Sequence, residues 1–197
     1  MESRIPRQAS WALAVALLAS AALGCARDER ESAASIGGPR SACELPVTFE
    51  VVGGWKAKPL GQADSGGWYH FSNACKLELG TGKEAVELTV DVDSLKGDNP
   101  RKVVGDHDGE GVSNLYGEYM HNQHVNESMT VAGQPAAEMD YELQPPSAVD
   151  PSIWVRKFAV VAPKDTIVLE VKGHDPGGEE RTRQVYDRVK STMRATS

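Results

Sequence analysis

The chain has 197 residues, with 21 Lys and Arg against 28 Asp and Glu, a formal net charge of −7 and only three cysteines. An acidic balance without clustered basic residues argues against nucleic-acid binding. The length suits one domain with a sizeable core behind an N-terminal leader.

That leader comes first. Arg4 and Arg7 form a short positive segment, and the fourteen residues from Trp11 to Gly24 carry no charge. The pattern reads as an export signal over residues 1–24, too short to span a bilayer, which takes about 20 apolar residues. The run closes on Ala22-Leu23-Gly24-Cys25, which resembles the bacterial lipobox, where the cysteine takes a diacylglycerol and becomes the new first residue. Ala22 and Leu23 depart from the usual Leu and Ala or Ser at those places. The competing reading is a plain secretion signal with an unrelated cysteine. Gly24-Cys25 ending the apolar run with charges directly behind it favours lipidation of Cys25, palmitate among the expected acyl chains. The expected address is the extracytoplasmic face of the cell membrane. Processing removes Glu2, Arg4 and Arg7 and takes the net charge from −7 to about −8.

Residues 25–42 hold one large apolar residue among charged and small ones and read as a flexible tether. With Cys25 lipidated, Cys43 and Cys75 remain as one pair in an oxidising compartment, where disulfides persist. A bridge across their separation would stabilise the fold by about 3–4 kcal/mol through loop entropy. Two buried free thiols are the alternative. A metal site fits less well, because no C-x-x-C or Cys/His spacing accompanies them. Residues 43–197 then form a single domain, with no internal repeat or second linker.

Within it the apolar period is mostly two. Val47, Phe49 and Val51 make a strand ending at Gly53-Gly54, residues 76–79 a short one, and Val86, Leu88, Val90 and Val92 a third. Val112, Leu115, Tyr116 and Tyr119 fall at helical spacing, weakened by Gly117. Met139, Tyr141 and Leu143 alternate again. "IWVRKFAVVA" is apolar on both faces apart from Arg156 and Lys157. With Ile167, Leu169 and Val171 beyond a turn, it reads as a hairpin near the sheet centre. Thr182, Val185, Tyr186, Val189 and Met193 form a C-terminal helical stripe, with Asp175-Pro176 as cap and first-turn proline. The class is α+β, an antiparallel sheet covered by helices.

The order of these pieces resembles the LpqN-type actinobacterial lipoproteins of the PsbP-like superfamily over about 145 residues. The specific fragments are "VTFEVVGGWKAKP", ending the first strand in a turn and Trp55, and "VAGQPAA" at Val131–Ala137. The resemblance implies an α/β/α sandwich around an antiparallel sheet of about six strands. It also implies an extracytoplasmic binding or accessory role without catalytic residues or a cofactor. The polar insertion Gly97–Gly111, read as an acidic loop, departs from the pattern, so ligand identity carries over weakly.

A scan for chemistry is largely negative: no G-x-S-x-G, S-x-x-K, P-loop, H-E-x-x-H or dinucleotide fingerprint occurs. Asp106, Asp108 and Glu110 alternate in "GDHDGEG". Oxygen ligands so spaced suit a hard cation, though a solvated loop is favoured. His121 and His124 at i and i+3 would share a helix face and, with Asp106 or His107 folded over them, suit a transition metal; surface histidines are favoured. Trp55 reads as core, whereas Trp68 and Tyr69 in the glycine-rich "SGGWYHF" are candidate ligand contacts. Two functions stand. The first is a membrane-anchored, non-catalytic binding or accessory module of the envelope, with a lipid, glycan or membrane-protein partner. The second is a small metal-binding or metal-dependent hydrolytic protein built on Asp106, Asp108, His121 and His124.

Overall fold

Strict alternation becomes strand wherever one side of the chain can be buried. The computed structural model describes residues 33–60, 72–93, 99–107, 120–145 and 150–196. The chain divides into Met1–Arg30 and Glu31–Ser197, and everything described lies in the second unit.

Ten strands and two α-helices are described, with one 3-10 turn at Gly82–Glu84: β1 (Ala34–Ile36), β2 (Val47–Val51), β3 (Lys56–Pro59), β4 (Ser72–Leu79), β5 (Val86–Asp93), α1 (Pro100–Asp106), β6 (Met120–Val131), β7 (Gln134–Leu143), β8 (Ile153–Val161), β9 (Thr166–His174), α2 (Gly178–Thr192) and β10 (Arg194–Ala195). Seven form one sheet in the order β3-β4-β5-β9-β8-β7-β6, and β1-β2-β10 form a small second sheet. Every pairing is antiparallel.

The middle strands are apolar on both sides because both sides are covered. In β9, Ile167, Leu169 and Val171 join one core with Val86, Leu88, Val90, Phe158, Tyr186, Val189 and Met193. Val168 joins a second core with Val104, Ala137, Met139, Tyr141, Val155 and Ala159. Successive side chains of a strand point to opposite faces, so α2, with the β1-β2-β10 sheet, covers one face and α1 the other. Phe158 and Tyr186 meet edge to face, with ring centroids 5.4 Å apart. Each fully buried side chain of this size contributes about 1.5–3 kcal/mol. Lys157, fully buried on β8, sets its ammonium 5.4 Å from the Tyr141 ring centroid.

The start of α2 lies close on β9. A Cβ on Gly173 would stand 2.5 Å from the Thr182 hydroxyl and 2.9 Å from the Gly178 carbonyl oxygen, so glycine is required there. Gly177 precedes the helix, with Glu179 and Glu180 in its first turn and Lys190 in its last, as the helix dipole favours.

The α+β sandwich is as expected, with seven strands in the main sheet. Four local expectations change. The tether does not extend to residue 42: Ala34–Ile36 pairs with β2 and buries Ile36, the segment's one large apolar residue. The strand of Val47, Phe49 and Val51 belongs to the small sheet, completed from the far end of the chain by Arg194 opposite Thr48. The polar insertion contains a helix, α1, because the Asn99 side chain accepts the Arg101 N–H, Pro100 starts the first turn, and Val104 plugs into the second core. The C-terminal helix begins at Gly178, two residues after the proline assigned to its first turn. The expected helix at Val112–Tyr119 lies outside the described residues.

Candidate functional site

A groove opens where α2 passes over the end of β2. Its cavity is about 240 Å³, with Val51, Val52, Trp55, Leu79, Val86 and Val185 as apolar walls and Arg181, Gln184 and Arg188 along one side. On α2 the lining residues 181, 184, 185 and 188 recur at i, i+3, i+4 and i+7, the period that keeps side chains on one face. Opposite them the chain leaves β2 and turns through Gly53-Gly54. Gly54 has φ 92°, a conformation glycine adopts freely, and the turn brings Trp55 back against the core. Trp55 is half-buried and Val52 is 38% exposed.

The two arginines are held differently. Arg181 donates from Nη1 to the Pro176 carbonyl at 3.0 Å and from Nη2 to the His174 carbonyl at 2.8 Å. Arg188 forms an ion pair with Glu50 of β2. An apolar cleft edged by guanidinium groups suits the apolar part of an amphipathic ligand, its polar or anionic part toward the arginines.

Around the sheet edge, Glu138 of β7 accepts hydrogen bonds from Lys190 at 2.8 Å, Tyr186 at 2.5 Å and Asn126 at 3.2 Å. Burial alone would raise its carboxyl pKa, but the bonds from Lys190 and Tyr186 outweigh it and hold the group below the usual glutamate value. Burial, and then Glu138 itself, push the Tyr186 hydroxyl well above the usual tyrosine range. This network locks α2 to β6 and β7.

The sequence-derived candidates fare unevenly. Cys25, Trp68, Tyr69 and Asp108 lie outside the described residues. Cys43 and Cys75 form a disulfide with Cα atoms 5.9 Å apart, both side chains buried. Cys75 sits within β4, ahead of the short strand expected at 76–79. The shared helix face of His121 and His124 is not present: both lie on β6, opposite Glu142 and Asp140. His107, the alternative to Asp106 for completing a metal site over that pair, places Nε2 2.9 Å from Asp91 Oδ2 of β5. Among the described residues no group of three or more His, Cys, Asp or Glu is placed to hold a metal ion. The groove itself was missed. Its only sequence signals are the turn-tryptophan at Gly53–Trp55 and the arginines interleaved with the α2 stripe.

A seven-stranded antiparallel sheet with helices on opposite faces defines a PsbP-like α+β sandwich. Solved structures share this fold, among them the following three. Cyanobacterial PsbP from Synechocystis sp. PCC 6803 matches with a TM-score of 0.56 at 11% identity, over 88% of this chain and 98% of that one. LpqN of Mycobacterium tuberculosis, described as involved in cell envelope biogenesis, matches at 0.54 and 13%, over 87% and 94%. The Ran-binding protein Mog1p of Saccharomyces cerevisiae matches at 0.51 and 8%, over 84% and 96%. At such identities the likeness is one of fold. No curated protein matches the sequence. The chain belongs to the family described as "Uncharacterised lipoprotein", whose model matches residues 18–193. It is thus a lipoprotein of LpqN-like, PsbP-like fold.

Proposed function

We propose that the protein is held by acyl chains on Cys25 at the extracytoplasmic face of the cell membrane and acts there as a non-catalytic binding module of the envelope. Residues 1–24 are its signal peptide. The family match begins at Leu18 and runs through Cys25, which supports the anchor. LpqN's described part in cell envelope biogenesis supports the setting. The observation that carries the binding role is the groove between α2 and the Val52–Trp55 corner, with six apolar residues and two arginines. Its ligand is an amphipathic envelope molecule, with Trp68 and Tyr69 as further contacts. To test this, the protein is extracted from membranes in mild detergent and its co-purifying lipids are weighed by mass spectrometry. Val185→Glu, which sets a charge in the groove wall, should reduce captured lipid at least several-fold. Equal capture by the variant and wild type would refute the groove as the site.

A further inference from the structure

The route of the N-terminal segment determines which part of the domain is leashed to its anchor. β1 runs antiparallel to β2 with Ala34 opposite Val51, so the chain enters the fold beside the exposed Val52. Ala34 follows Cys25 by nine residues. At full extension they span at most about 30 Å. A compact domain of this size is about 40 Å across. With Cys25 lipidated, as proposed above, the Val52 corner cannot therefore be turned directly away from the bilayer.

That same corner holds the groove. Val52 is the exposed large apolar residue among those described, and Trp55 beside it is half-buried. The charged residues lining the groove are Arg181 and Arg188, with Glu50 paired to Arg188 from β2. The rim thus carries net positive charge on a chain whose own net charge is −7. Tryptophan favours the bilayer interface, where its ring meets both apolar and wet layers. Basic side chains near an anionic leaflet are attracted to it.

We infer that the Val52–Trp55 corner is a second membrane contact, resting on the anchoring by Cys25. Val52 and Trp55 enter the interfacial layer of the anchoring leaflet, Arg188 and Arg181 meet anionic phospholipid headgroups, and the groove takes an acyl segment from that leaflet. The acyl chains on Cys25 already suffice for attachment. The corner's effect is therefore to orient the domain, holding the α2 face toward the bilayer.

The test uses the lipidated protein reconstituted into vesicles of phosphatidylcholine and phosphatidylglycerol, with and without brominated acyl chains, which quench nearby tryptophan. The expected result is co-flotation with the vesicles and quenching of a component that Trp55→Phe removes. Val52→Asp, at an exposed site, should abolish that quenching while co-flotation persists. Arg188→Gln should weaken the contact about fivefold in the anionic vesicles, the effect of one basic side chain at an anionic surface. Failure to co-float would overturn the anchoring and this inference with it. Co-flotation with Trp55 unquenched would overturn this inference alone, leaving the groove to a soluble ligand or a protein partner.

Discussion

Replacing Tyr186 by Phe removes one hydroxyl from the network that ties α2 to the sheet and leaves the ring packing against Phe158 in place. Tyr186 is 3% exposed and donates to a Glu138 carboxylate that also holds Lys190 and Asn126. A hydrogen bond to a charged group contributes about 1.5–3 kcal/mol. The lower end applies, because the Glu138 side chain is 19% exposed and keeps two other donors, so the expected loss is about 1.5 kcal/mol. Its pH dependence follows from Glu138, whose folded carboxyl lies below the ordinary value of 4.5. A depressed carboxyl contributes stability that is present above the unfolded value and lost as pH falls through the folded one. The penalty of Tyr186→Phe should hold at neutral pH and shrink on acidification below 4.5. Urea unfolding of wild type and variant at both pH values measures it as a shift in midpoint with unchanged slope. A penalty that stays constant through the acid range would refute the charge-assisted bond and leave only altered packing.

Other outcomes are expected. Changing Cys43 and Cys75 together to Ser should cost about 3–4 kcal/mol by the loop-entropy model, given their separation of 32 residues, and reductant should lower the wild-type melting temperature alone. Gly173→Ala should destabilise by about 1–3 kcal/mol, because its Cβ collides with Thr182 and the Gly178 carbonyl; an unchanged melting temperature would contradict the close approach of α2 to β9. Phe158→Ala, at a fully buried position, should cost about 3–5 kcal/mol in the same unfolding assay.

Strands were legible where an alternating apolar series survives in the sequence: β5, with one face mostly buried, runs Val86, Leu88, Val90, Val92, and β9, buried on both faces, still shows Ile167, Leu169, Val171. The α2 stripe was legible for the same reason at helical period. β6 was not, because it is a polar strand that, among the described residues, pairs on one side only. Register shifts between His121 and His124 and between Asn126 and Met129 break its period, so Met120, Val125 and Met129 are unevenly spaced. That is why two strand histidines read as a helical pair. In α1 the Asn99-Pro100 start signal was present, but a seven-residue helix with Val104 as its one buried residue makes no stripe. β1 and β10 are short, and their pairing to β2 joins the two ends of the chain, which no local pattern encodes. The disulfide followed from counting cysteines. The groove did not follow from any count, since β2, the β4-β5 hairpin and α2 meet only in the folded chain.

The central claim is that this domain is a lipid-anchored envelope protein, and the chemical state of Cys25 tests it most directly. Mass spectrometry of the N-terminal peptide released from the membrane-extracted protein should find a chain that begins at Cys25 and carries a thioether-linked diacylglycerol. An unacylated Cys25 inside a longer peptide, in protein that still sediments with membranes, would contradict the anchor.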